Sequence, residues 1–173
     1  MHERELWITM YMKWENVDKP VDSVDNFKYM LIGEYLHTID QKNRVSVPSK
    51  FRKDLGKIVV LTRGLDKCLF LYPLAQWKEL AEKLAKLPWG KAEHRSFIRA
   101  MIAGATDIEV DSLGRILLPD YLKVYSKLSD TAMIVGLYNR VEIWNPELWA
   151  RYSEATKDNV EVIAEKLGEL GLY

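Results

Sequence analysis

Two arginines, Arg44 and Arg115, stand in matching frames. "TIDQKNRVSVP" (38–48) and "EVDSLGRILLP" (109–119) share an apolar residue, Asp, two variable residues, Asn or Gly, Arg, three residues and Pro. The arginine guanidinium is a planar fork that suits phosphate oxygens or a guanine edge. The same fork can instead pair with the Asp four residues earlier, Asp40 or Asp111, and serve only the turn. The spacing alone leaves both uses open. Arg44 favours contact, because Lys42 precedes it and Lys50, Arg52 and Lys53 follow within nine residues. Arg115 has acidic neighbours instead.

Other reactive residues do not assemble a catalytic set. His2, His37 and His94 are far apart in sequence and form no H-x-x-x-H pair. His37, in an expected strand, reads as structural. Cys68, the single cysteine, opens the apolar run "CLFLYP" and reads as a small buried residue. It permits neither an intrachain disulfide nor a Cys-rich zinc site. Asp40 and Asp111 could be imagined as an acid–base pair, but capping their own turns explains them. No glycine-rich phosphate loop is present. The reading is a non-enzyme with no cofactor, no metal and no small-molecule substrate.

The chain has 173 residues and a net charge of zero. That zero hides a division. Residues 40–63 carry seven basic and two acidic side chains, a balance of +5; residues 107–130 carry three basic and five acidic, a balance of −2. A basic patch is a statement about partners rather than fold. No apolar run reaches the roughly 20 residues that cross a bilayer. The charged start "MHERELWITMYMKW" does not read as a signal peptide. An intracellular location is the default.

The elements that would position these residues repeat as well. "GLDKCLFLYPLAQW" (64–77) lies over "GLYNRVEIWNPELW" (136–149), matching Gly64 with Gly136, Leu71 with Ile143, Tyr72 with Trp144 and Trp77 with Trp149. The offset is 71 residues in the first motif and 72 in the second, so one residue is inserted between them. Each copy reads as strand, turn, strand, short helix, strand, turn, strand and longer helix. In the turns, Asp40 and Asp111 accept backbone N–H groups, while Asn43 and Gly114 tolerate a left-handed backbone. Pro48 and Pro119 are placed in the first turn of the short helices. "KAEHRSFIRAMIAGA" is a further helix after the break at Pro88 and Gly90, and a tail helix runs from about Pro146 to Leu170. An isolated hairpin is marginal in water, so each copy is expected to supply half of one core. The matched aromatics read as core or subunit-interface residues.

The pair "DQKNRVSVP" and "DSLGRILLP", followed by "LFLYPLAQW" and "EIWNPELW", resembles the MraZ family of bacterial transcription regulators. More broadly it is similar to the AbrB-type swapped-hairpin DNA-binding fold, here duplicated in one chain. The resemblance covers Met30 to about Tyr152. It implies an α+β fold of two tandem AbrB-like repeats closing into one small double-split β-barrel, with amphipathic helices after each repeat. It also implies a double-stranded DNA partner: promoter repeats upstream of the protein's own cell-division and cell-wall gene cluster, read as short boxes by a ring-like homo-oligomer. The location implied is cytoplasmic and nucleoid-associated. The family's motif arginines fall on Arg44 and Arg115. Asn43 stands where Gly is common, and its amide could reach a base or phosphate.

The expected division is an N-terminal extension (1–29), a first repeat with its helical segment (30–106, basic and DNA-contacting) and a second repeat with the C-terminal helix (107–173). The extension has no repeat partner. It is either a true extension or an upstream stretch preceding a start at Met30. The expected contact set is Lys42, Asn43, Arg44, Lys50, Arg52, Lys53 and Arg115, with Asp40, Asp111 and Gly114 building the turns. The competing function is an AbrB-fold interaction module, antitoxin-like or scaffolding, that holds a protein partner through the tail.

Overall fold

The computed structural model describes residues 30–157 and 159–171; the expected N-terminal extension lies outside these residues. The first copy supplies β1 (Leu31–Thr38), β2 (Arg44–Ser46), α1 (Ser49–Leu55), β3 (Ile58–Arg63), β4 (Leu69–Pro73), α2 (Leu74–Ala85) and α3 (Ala92–Ile102). The second supplies β5 (Thr106–Glu109), β6 (Arg115–Leu117), α4 (Asp120–Ser126), β7 (Thr131–Tyr138), β8 (Arg140–Trp144), α5 (Pro146–Lys157) and α6 (Val160–Glu169).

The copies are interleaved. Six antiparallel strands run in the order β1-β7-β8-β4-β3-β5, and β2 pairs with β6 as a separate ribbon. Exchanging each strand for its counterpart reverses the sheet order onto itself, which is the signature of a pseudo-two-fold axis. The register locates the axis. Val45 faces its equivalent Ile116 in the ribbon, and Phe70 faces its equivalent Glu142 where β4 meets β8.

Sheet and ribbon share one core. Leu31, Leu61, Leu69, Ile134 and Ile143 from the sheet pack with Val45 and Ile116 from the ribbon and with Phe51 and Leu122 from the two short helices. Burying each such side chain contributes about 1.5–3 kcal/mol, and neither copy encloses this cluster alone. A second cluster lies on the sheet's outer face, where Leu84 of α2 and Ile98 and Met101 of α3 cover Phe70, Tyr72 and Trp144. Trp77 and Trp149 pack against this cluster, in agreement with the core reading of the matched aromatics.

Three details depart from the sequence reading. Leu61 pairs with Leu71 and Ile134 with Ile143, so β3 and β7 are offset by 73 residues and Gly64 is not the counterpart of Gly136. Gly64 lies at the β3–β4 turn, donating its N–H to the Cys68 carbonyl, whereas Gly136 lies inside β7 opposite Val141. Two residues are gained before β7 and one is dropped in the tighter β7–β8 turn, where Tyr138 takes φ +62°. Pro48 and Pro119 are N-caps of α1 and α4, one position earlier than expected. The tail is two helices rather than one, α5 ending at Lys157 and α6 starting at Val160.

Candidate nucleic-acid interface

The hairpin tips are built alike. The Asp40 carboxylate accepts the N–H groups of Lys42 and Arg44 at 2.9 Å each. Asp111 accepts those of Leu113 and Arg115 at 3.0 and 2.8 Å. Asn43 and Gly114 take the left-handed backbone, φ +57° and +75°. Each tip then holds the other copy: Val47 donates its N–H to the Gly114 carbonyl and Leu118 donates to the Asn43 carbonyl, both at 2.8 Å.

The helices clamp the opposite tips in the same crossed manner. The guanidinium of Arg52 in α1 covers Gly114, and its Nε donates to the Val47 carbonyl at 2.9 Å. Lys123 of α4, the counterpart of Arg52, donates to Asn43 Oδ1 at 2.7 Å, while Asn43 Nδ2 donates to Asp120 at 2.8 Å. The Asn43 amide is therefore engaged within the fold rather than pointing to a base.

The motif arginines behave as a pair. Arg44 donates from Nε to Asp40 Oδ2 at 2.8 Å, with Nη2 at 2.7 Å from the same oxygen. Arg115 does the same with Asp111 at 2.8 Å and 2.8 Å. Arg115 Nη1 also approaches Asp40 Oδ2 at 3.7 Å, so the two guanidiniums meet near the pseudo-two-fold axis. The Arg44 hydrogen bonds lower the Asp40 pKa to about 2, and those of Arg115 lower that of Asp111. The expectation that Arg44 is free for contact is not what the geometry shows: it is paired with Asp40, and Arg115, whose use the spacing left open, is paired with Asp111. Arg44 keeps 31% of its side chain exposed and Arg115 24%. A guanidinium carries five donors, and the Asp occupies one edge of the fork. The rest remains directed by a fixed carboxylate.

The difference between the copies lies around the arginines. Across the 71-residue offset, Lys42 corresponds to Leu113, Lys50 to Tyr121 and Lys53 to Val124. All six are exposed. Three cations on one side of the axis are thus three apolar side chains on the other. This exchange is present in the sequence and is more informative than the charge totals.

Lys50 sits over the end of β1, its Nζ 3.4 Å from the Ile32 carbonyl. Lys57 is spent on Glu109 at 3.1 Å. Burial, with the Arg52 charge adding to it, lowers the pKa of His37. Cys68 is buried and its thiol pKa is pushed up mainly by that burial. Among the described residues, no group of three His, Cys, Asp or Glu side chains could hold a metal ion, and no helix is long and apolar enough to cross a membrane.

Two interleaved copies of one hairpin-helix-hairpin unit, with a polar tip from each meeting at an axis, define a duplicated swapped-hairpin domain. The match to known families agrees. The model of the MraZ protein family, whose description adds the words antitoxin-like, matches residues 30–100 and again 101–168. Similar proteins include the transcriptional regulator MraZ of Desulfitobacterium hafniense (strain DSM 10664 / DCB-2), 50% identical over 143 residues, which are 83% of this chain and 100% of that one. The transcriptional regulator MraZ of Caldanaerobacter subterraneus subsp. tengcongensis is 48% identical over the same shares. That of Moorella thermoacetica is 46% identical over 138 residues, 80% of this chain and 96% of its own. The chain belongs to the MraZ family.

Proposed function

We propose that the chain is a sequence-specific DNA-binding regulator that grips duplex DNA with the tip and α1 of its first copy. The position-by-position exchange of Lys42, Lys50 and Lys53 for Leu113, Tyr121 and Val124 carries this reading. At these three matched positions of a symmetric scaffold, only the first copy offers charge to a phosphate backbone. Arg44 and Arg115, side by side at the axis, are the groups for base edges or the nearest phosphates. Arg52 and Asn43 fix the tips and stand behind them. Residues 30–106 supply most of the DNA contacts, with Arg115 added from 107–173. The names carried by the relatives favour a transcriptional role, and we extend it to promoter boxes upstream of the protein's own cell-division and cell-wall genes. A ring-like homo-oligomer in the cytoplasm, at the nucleoid, would bring several weak tips to regularly spaced boxes, and linkage would raise their joint affinity.

The test is a mobility-shift titration on the native upstream DNA at two salt concentrations. Lys42→Ala, Lys50→Ala and Lys53→Ala should each weaken binding and reduce the log–log salt slope by about 0.9 for each phosphate left without its cation. Leu113→Ala should leave the slope unchanged. Unaltered affinity and slope in all three lysine variants would remove DNA gripping from this surface.

A second reading, a module that holds a protein partner, is favoured by the unburied apolar face of α6. It predicts that α6 substitutions abolish function while the three lysine variants retain it.

A further inference from the structure

The outer face of the β2–β6 ribbon carries four side chains. Val45 and Ile116 point inward to the core. Strand alternation therefore turns Arg44 and Ser46 of β2, and Arg115 and Leu117 of β6, the other way. Arg44 stands opposite Leu117, and Ser46 opposite Arg115. Leu117 is the apolar exception among polar neighbours. It is 52% exposed and belongs to neither hydrophobic cluster. Across the 71-residue offset its counterpart is Ser46. The ribbon thus closes with a small hydroxyl residue at the equivalent place, and its packing does not demand a leucine.

The ladder sets Leu117 against Arg44. Leu118 donates its N–H to the Asn43 carbonyl, and Val47 donates to that of Gly114. Asn43 with Leu118, and Val47 with Gly114, are therefore pairs of the hydrogen-bonded kind. The two kinds alternate along an antiparallel ladder, so Arg44 with Leu117 is of the closer, non-hydrogen-bonded kind. Directly opposite Cβ atoms lie about 4.5–5.5 Å apart. Asp40 fixes the Arg44 guanidinium at 2.8 and 2.7 Å. A directed arginine and an exposed leucine thus stand side by side on the ribbon's outer face.

The major groove of B-form DNA admits a two-stranded β-ribbon, and the C5-methyl of thymine is the apolar group on its base edges. Successive bases of one strand are about 3.4 Å apart along the axis. Side chains spaced as Arg44 and Leu117 are therefore reach neighbouring base pairs. We infer that Leu117 is a specificity-determining residue that packs against the methyl group of a thymine beside the base pair met by Arg44. A phosphate contact would set an apolar side chain against a charge and cost that charge its water. The thymine methyl is the group it matches. Ser46, beside Arg115, offers a hydroxyl that accepts more than one base edge, so the two halves of the ribbon select differently. This inference rests on the proposed function and adds to it one of the bases that the ribbon selects.

A mobility shift on two forms of the native upstream DNA tests the assignment. One form is natural; in the other, deoxyuridine replaces thymidine throughout, which removes the methyl groups alone. The native chain should bind the second form at least about fourfold more weakly, the share of one buried methyl. Leu117→Ala should bind the natural DNA more weakly, with unchanged circular dichroism and salt slope. Its discrimination between the two forms should be smaller than the native chain's by about that same factor. Any change in duplex stiffness is common to both proteins, so the ratio of the two discriminations isolates the contact. Leu117→Met and Ser46→Ala should each keep the native discrimination. A Leu117→Ala chain that keeps it would overturn the inference, as would a native chain that binds both forms equally. So would an altered mass of Leu117→Ala in light scattering, which would assign the leucine to a contact between copies. A native chain that fails to shift the natural DNA would instead remove the proposed function, and this inference with it.

Discussion

Gly114→Ala isolates the crossed clamp between the copies. Gly114 is buried with φ +75°, a region where a residue with a Cβ costs about 1–2 kcal/mol. A methyl group there would overlap Cζ, Nε and Nη1 of Arg52. The arginine is the flexible partner and would swing away, giving up its 2.9 Å bond to the Val47 carbonyl, about 0.5–1.5 kcal/mol. The loss should total roughly 1.5–3.5 kcal/mol. At about 2–4 °C per kcal/mol for a chain of this size, the melting temperature should fall by ~3–14 °C. Urea unfolding should show a lower midpoint at unchanged slope. In an Arg52→Ala background the overlap is gone, so the same substitution should cost only the backbone share, about 1–2 kcal/mol. Asn43→Gly, at the equivalent site, keeps a suitable backbone and gives up only the links to Asp120 and Lys123. It should therefore be milder. Gly114→Ala within about 0.5 kcal/mol of the native chain would refute the strain argument. An equal loss in both backgrounds would refute the placement of Arg52 over the tip.

Gly136→Ala should destabilise by another route: its methyl group would meet the Leu31 carbonyl carbon and oxygen and Phe51 Cζ, and backbone cannot swing aside. A loss of about 1–3 kcal/mol by urea unfolding is expected, and a neutral result would contradict the close approach of β1 and β7. Acid should weaken the fold in two windows. His37 has a folded pKa below its ordinary 6.5, so its unfolded form takes the proton first and stability declines as pH falls through that value; His37→Gln should flatten this part of a pH–stability curve. Asp40, lowered from 3.8 to about 2, stabilises above 3.8, and that contribution disappears as pH falls towards 2; Asp111 is lowered in the same way, so Asp40→Asn should reduce this second decline and Asp40→Asn with Asp111→Asn should reduce it further. Because Arg44 and Arg115 are held alike at the axis, Arg44→Ala and Arg115→Ala should weaken DNA binding within a few-fold of one another in the mobility shift. A much milder Arg115→Ala would restore the asymmetry that the charge totals suggest.

Much of the fold was legible because the duplication repeats its own turn chemistry. Asp40 and Asp111, Asn43 and Gly114, and Pro48 and Pro119 announce the tips and the helix starts, and the alternation of short apolar runs announces eight strands. Pairing between the copies was not legible. Periodicity says which residues face a core but not which strand lies alongside, and here every strand of the first copy borders one of the second. Gly64 and Gly136 mislead because equal residue types conceal a shift that only the hairpin registers reveal. The tail reads as one helix because its apolar spacing carries on past Asn159. Arg44 departs from expectation for a different reason. Its lysine neighbours do set the first copy apart, but its partner is decided locally by Asp40, as at the second tip.

The interleaving bears on how the chain is made. β1, β2, β3 and β4 each lean on a strand that has not been synthesised when β4 is complete. β8 ends at Trp144, 71 residues after β4 ends at Pro73. At roughly 5–20 residues per second, translation leaves the first four strands with open ladders for about 4–14 s. During that interval a nascent chain beside another on the same message offers it the very strands it lacks, so the spacing of ribosomes bears on whether a protein builds itself or an entangled pair.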